Sequence, residues 1–262
     1  MAKVSLKLIE TQIRKDEKIL KAYDLLESDV ETQCYLQMAN IMAVNRLRYN
    51  DHGPVHSRIV GGTALEIFDI LKNHIKLGVV KEAIGDEWDS RLVSFYGAYL
   101  HDIGNSVHRK SHHINGCILA GPILKRLLGK IYGVKTEKTF KLKQEILQSI
   151  FSHDDEIKCL SAEGGISKIA DGCDMAGGRA RIPYKLGKAD IHSLSALSIT
   201  KVEIEPGTEK PLLIKVHMNN FAGIFQIEEV LMKKIETSGL MDKVKILPLE
   251  KGKKIKWSGK MD

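Results

Sequence analysis

Six side chains have the types and placement to hold a metal ion: His56, His101, Asp102, His112, His153 and Asp171. His101 and Asp102 close an apolar run, Tyr99-Leu100-His101-Asp102-Ile103-Gly104-Asn105, and the glycine lets the chain turn away. Adjacent side chains on a helix point roughly 100° apart, given about 3.6 residues per turn. At a helix end, where the backbone leaves regular geometry, a histidine and the carboxylate beside it can still converge on one ion. A single His-Asp pair is a common coincidence, and a lone histidine near a helix start is more often a hydrogen-bonded polar residue. The weight lies in the set, because the other four also fall at breaks or ends of predicted helices. Imidazole and carboxylate without thiolate favour Mn²⁺, Fe²⁺, Co²⁺, Zn²⁺ or Mg²⁺ used as a Lewis acid rather than a structural zinc.

Such a centre needs inward-facing ligands from several helices, and the apolar periodicity supplies them. Leu6, Ile9, Ile13, Leu20, Tyr23 and Leu26 recur at near-helical spacing and predict one long surface helix from Leu6 to Glu27. Asp29 caps the next, which runs to about Tyr49. Asn50-Asp51-His52-Gly53-Pro54 is a breaker, and Pro54 suits the first turn of a third helix that carries His56 near its start. Trp88, Leu92, Phe95, Tyr96 and Leu100 define the helix that ends at His101-Asp102. The polar segment Asn105 to Ser111 is expected as an exposed loop. His112-His113 then open a helix containing Pro122, a candidate kink. A helix from Thr136 to Phe151 ends at Ser152-His153-Asp154, and a short one, Ile166 to Met175, holds Asp171.

Composition changes at Gly177-Gly178-Arg179-Ala180-Arg181, which reads as a linker. Beyond it Leu197 to Glu205 and Pro211 to Met218 are strand-like, with Leu212, Ile214, Val216 and Met218 on one face. A helix through Ile224, Ile227, Leu231 and Ile235 ends at Gly239, and Lys243 to Leu249 reads as a further strand. The expected fold is mainly α, with a helical bundle over residues 1–188 and a small α+β subdomain of β-β-α-β order over 189–262, ending in a basic tail.

The chain has 262 residues, 43% of them hydrophobic and 28% charged, an ordinary globular composition. No apolar run approaches the roughly 18 residues of a transmembrane helix, so no membrane partner is expected. The first residues lack the apolar core of a secretory signal. Four scattered cysteines suit a reducing cytoplasm. A formal charge of +7 mildly favours acidic partners, although a solvated lysine-rich surface explains it as well.

The ordered set His56-Ser57-Arg58-Ile59-Val60, Leu100-His101-Asp102-Ile103-Gly104, His112-His113-Ile114-Asn115-Gly116, Ser152-His153-Asp154 and Ile169-Ala170-Asp171-Gly172-Cys173-Asp174 resembles the HD-domain metal-dependent phosphohydrolases. It spans about residues 45 to 180 and is far more specific than any one of its pieces. The resemblance implies that His56, His101, Asp102 and Asp171 hold a first metal. In binuclear members Asp102 bridges to a second, held by the equivalents of His112 and His153. It further implies hydrolysis of a phosphoester or phosphoanhydride by a metal-activated water, with His101 and Asp102 at the catalytic centre. The expected substrate is a small phosphorylated compound such as a nucleotide.

Arg58, Arg179 and Arg181 are the phosphate-binding candidates, because a guanidinium donates two parallel hydrogen bonds; Asn105 and His113 join them as substrate-binding residues. Arg109 and Lys110 read at least as well as solvated loop cations. His52, His113 and Asp174 are candidates to support the ligands from behind.

The chain departs from its better-known relatives at Asn105, where many phosphodiesterases of this type carry lysine. It departs again at Asp154-Asp155-Glu156, where the cyclic-di-nucleotide enzymes carry Gly-Tyr-Pro. Two alternatives stand beside the hydrolase. One is a ribonuclease or RNA-binding protein, for which neither a KH module nor aromatic residues among the basic runs are found. The other is a degenerate HD domain that senses a nucleotide, with the β-β-α-β part as effector or homodimerisation module.

Overall fold

A buried helix organises the molecule. The computed structural model describes residues 1–134, 136–176, 191–255 and 257, with the backbone alone at 192 and 193. Helix α6 (Glu87–Leu100) is buried at every position from Asp89 to Leu100, the pattern of a helix enclosed on all sides. Around it pack α4 (Pro54–Leu71), α8 (Glu137–Ser152) and α9 (Ala162–Cys173). Its start is fixed by a capping box, in which Asp86 accepts from the Asp89 N–H and Asp89 from that of Asp86. Helix α7 (His112–Tyr132) lies against α8 and remains one helix through Pro122.

The predicted Leu6–Glu27 helix is two: α1 (Leu6–Ile13) and α2 (Glu17–Ser28). Asp16 divides them, because its carboxylate accepts from the Lys18 and Ile19 N–H groups and so starts a new helix. Helix α3 (Val30–Asn40) follows, capped by Asp29, and continues as a π-turn over Ile41–Arg46. A single-turn helix α5 (Gly78–Lys81) precedes α6. Asn105 is a second correction. It is buried in a 3₁₀ turn, Ile103–Ser106, rather than exposed in a loop.

Downstream, β2 (Ile199–Pro206), β3 (Leu212–Met218) and β4 (Val244–Glu250) form the expected strands. β2 and β3 are antiparallel, with Ile204 opposite Ile214. β3 and β4 are parallel, with Ile214 opposite Ile246, and the helical stretch 224–238 makes the crossover between them. Two short edge strands, β1 (Ala2–Lys3) beside β2 and β5 (Lys253–Lys254) beside β4, complete a five-stranded mixed sheet. Leu212, Ile214, Val216 and Met218 face one continuous apolar cluster with Ile67 and Phe68 of α4 and Ile166 and Ile169 of α9. A second cluster fills the bundle around Phe95, Tyr96, Tyr99, Leu124 and Ile146.

At Gly104 the turn after α6 packs tightly against the start of α7. A Cβ there would lie 1.9 Å from the His112 carbonyl oxygen and 2.3 Å from the Gly116 nitrogen, so only glycine lets the first turns of α7 lie this near the end of α6. Gly104→Ala would push α7 outward and His112 with it. The expected loss is about 2–3 kcal/mol of unfolding free energy in urea, and stability equal to wild type would refute this account of the turn.

Candidate metal centre

The ends of five helices meet here. His56 lies in the first turn of α4, behind Pro54, which supplies a preset φ. His101 follows the last residue of α6 with Asp102 beside it, Asp171 projects from α9, His112 opens α7 and His153 closes α8. His101 and His153 use the same device. Each Nδ1–H donates to the carbonyl three residues back, Ala98 at 2.7 Å and Ile150 at 2.6 Å. This satisfies a carbonyl that the helix end would leave open and turns Nε2 inward. His56 reaches the same state through Asp174, whose Oδ2 lies 2.7 Å from Nδ1.

His56 Nε2 lies 3.2 Å from His101 Nε2, 3.4 Å from Asp102 Oδ2 and 3.2 Å from Asp171 Oδ1. His101 Nε2 lies 3.2 Å from Asp102 Oδ2 and 3.4 Å from Asp171 Oδ1. Donors about 2.1 Å from one ion are separated by about 3.0 Å at right angles and about 3.4 Å at the tetrahedral angle. His56, His101 and Asp102 at these separations could hold one divalent cation, and Asp171 Oδ1 lies beside both imidazoles. The other oxygen of Asp102 faces a second group: Oδ1 lies 3.7 Å from His112 Nε2 and 3.8 Å from His153 Nε2, and those two nitrogens are 2.9 Å apart. The carboxylate thus turns one oxygen to each donor set.

The charges support this arrangement. Burial alone would depress His101, but Asp102 and Asp171 beside it outweigh that and raise its pKa to about 9. Burial would raise Asp102, yet the neighbouring imidazoles, His101 first, hold it well below the usual carboxylate range. Burial, then the nearby Arg109 cation, lowers His112 to about 4, and burial, then His112, lowers His153 well below its ordinary value. Asp171 is depressed against burial by Lys234 and His101. Lys234, on the helical stretch beyond the β2–β3 hairpin, places Nζ 2.9 Å from Asp171 Oδ2 and 2.9 Å from Asp155 Oδ1, and donates to the His153 carbonyl at 3.1 Å. Lys168 donates to the carbonyls of Asp154 and Ile157, both at 2.7 Å, and so holds the turn that follows His153.

A cavity of about 560 Å³ opens onto these donors, walled by Lys110, His113, Asp154, Asp155, Glu156 and Val230 among others. A hollow of about 630 Å³ beside Cys159 and Leu240 contains none of the six donors and is not the site.

The predicted substrate residues fare unevenly. His113 lines the cavity, with Nδ1 3.4 Å from Asp154 Oδ2. Asn105 is turned inward, its Nδ2 donating at 2.7 Å to Asp102 Oδ1 and at 3.1 Å to the Asp102 carbonyl, so it orients a donor. Arg58 is outside the cavity lining and grips Glu27 with two hydrogen bonds of 2.9 and 2.7 Å. Residues i and i+2 of a helix do not share a face, and Arg58 is two beyond His56. Arg179 and Arg181 lie outside the described residues.

Arg109, for which the sequence left both a phosphate-binding and a solvated-loop reading, lies against the second donor set, and Lys234 was not anticipated at all. A signal for Lys234 existed. It falls three residues after Leu231 and seven after Ile227, on the apolar face of its helix, and a lysine buried there requires counter-charges.

Over 225 residues the chain is 47% identical to an uncharacterized protein of Methanocaldococcus jannaschii, an alignment that covers 86% of each chain. The chain belongs to the same family as that protein. No family model and no solved structure matches it.

Two outcomes are expected of the metal-free protein. At neutral pH His101 holds the proton that an ion must displace. Binding at the first donor set should therefore release about one proton, and apparent affinity should climb with pH until about 9. Calorimetry in buffers of different ionisation enthalpy measures this, and a buffer-independent heat would contradict it. Asp174→Asn removes the carboxylate behind His56 and should weaken Mn²⁺ binding by about 10–100-fold; an unchanged dissociation constant would assign Asp174 no part in the centre.

Proposed function

We propose that this chain is a metal-dependent phosphohydrolase of the HD superfamily, acting on a phosphoester or phosphoanhydride in a nucleotide or a related small phosphate compound. The observation that carries the reading is the Asp102 carboxylate, with one oxygen toward His56 and His101 and the other toward His112 and His153. Divalent ions held there would supply Lewis-acid polarisation of phosphate oxygens and a lowered pKa for water.

The remaining roles belong to the chain's own residues. His56, His101 and Asp171 fix the first ion, and Asn105 fixes the direction of Asp102. Lys234 ties the outer oxygen of Asp171 and leaves Oδ1 as its ligand atom. At the cavity wall Lys110 and Arg109 are the cations to receive phosphate oxygens. His113, which lines the same cavity with Nδ1 beside Asp154, is the residue to orient or protonate a leaving oxygen. The reading places the enzyme in the cytoplasm; all four cysteines are free, and no helix among the described residues is long and apolar enough to cross a membrane.

The test combines metal analysis of the purified protein with a panel of nucleotides and phosphoesters assayed with Mn²⁺, Mg²⁺ or Co²⁺. Asp102→Ala should lose both bound metal and at least about 10³-fold in turnover while remaining folded. Wild-type turnover in that variant would sink the proposal.

A further inference from the structure

The second donor set has a cation of the protein's own against it. Arg109 Nη1 lies 3.1 Å from His112 Nε2, 3.8 Å from Asp102 Oδ1 and 3.5 Å from Asn105 Oδ1. The guanidinium packs against His112 Nε2, which also lies 2.9 Å from His153 Nε2. An ion held through His112 Nε2 and Asp102 Oδ1 would occupy the space that the guanidinium fills. Arg109 also faces the Asp102 oxygen turned toward this set, with its charge close to where a second divalent cation would sit, and like charges at such range repel strongly. The first donor set has no such neighbour among the described residues, since Lys234 pairs with Asp171 through the outer oxygen.

Arg109 is also built to leave. It stands on the short segment between the Ile103–Ser106 turn and α7, its side chain is 41% exposed, and the cavity opens beside it. Apart from the 3.1 Å contact to His112 its approaches to the centre are 3.5 and 3.8 Å, and it lacks the paired carboxylate bonds that lock Arg58 on Glu27.

We propose that Arg109 and a second divalent ion are alternative occupants of the face formed by Asp102 Oδ1, His112 and His153. With the guanidinium in place the chain holds one ion, at His56, His101, Asp102 and Asp171. The second enters only as Arg109 swings into the cavity, where its fork meets a phosphate oxygen. An anion that draws Arg109 outward therefore helps the second ion to bind, and by reciprocity the second ion helps the anion. This inference rests on the reading of the site as a two-sided metal centre.

The test titrates the metal-free full chain with Mn²⁺, following bound ion by electron paramagnetic resonance and calorimetry, with and without inorganic phosphate. Wild type should bind one Mn²⁺ tightly and a second at least about tenfold more weakly, and phosphate should strengthen the second. Arg109→Met should tighten the second site at least about tenfold, leave the first unchanged and abolish the effect of phosphate. Adding His112→Ala to that variant should remove the second ion alone. A second-site affinity identical in wild type and Arg109→Met would overturn the inference while the metal centre stands. Failure of wild type to bind Mn²⁺ at either site would overturn the metal-centre reading and this inference with it.

Discussion

Everything at the centre depends on placing two carboxylates where water hardly reaches. Asp102 is buried and the side chain of Asp171 is 12% exposed. An ionised carboxylate in such a place is costly unless it is paired and hydrogen-bonded. The chain meets this demand by bringing imidazoles to both oxygens of Asp102 and to the inner oxygen of Asp171, and an ammonium to the outer one. The five converging helices are the means: each delivers its polar group from its first or last turn, where the backbone has unmet hydrogen bonds of its own. His101 and His153 meet both needs with one ring each, the Nδ1 side completing the helix and the Nε2 side facing the carboxylate.

The C-terminal segment is part of this arrangement. Lys234 comes from the crossover between β3 and β4, yet it touches Asp171, Asp155 and the carbonyl of His153. The apolar cluster crosses the same boundary, joining α4 and α9 to the inner face of the sheet. A change that loosens the sheet therefore reaches the donors through one ammonium, because removing one partner of a buried pair leaves the other uncompensated, at a cost of about 3–5 kcal/mol.

Much of this was legible in the residues. The six donors announced themselves through chemical type and position at helix ends, and the structure gathers all six. Strand β3 was written in two-residue alternation, and β2 and β4 as short strand-like runs. The two edge strands were not, because a pair of residues such as Ala2-Lys3 carries no period. The break at Asp16 was hidden for a related reason: an aspartate on a charged surface helix looks the same whether it caps a new helix or merely faces water. Arg58 illustrates charge read without geometry, since two residues along a helix is the far side. Arg109 could not be placed, as nothing in a loop's sequence says which way a guanidinium turns. Lys234 marked only its own burial, and its partners lie far away in the chain.

The pairing of Lys3 with Glu203 has a consequence for how this molecule comes into being. Synthesis runs from the N-terminus, so β1 leaves the ribosome about 200 residues before the strand it must join. The donor histidines and aspartates all emerge in between, and the ammonium that balances Asp171 comes later still. The nascent bundle thus carries its ligands while both its edge strand and a counter-charge are outstanding. Contacts of such separation are slow to form. The pairing of Asp171 with its ammonium therefore waits on the residues that cross from β3 to β4.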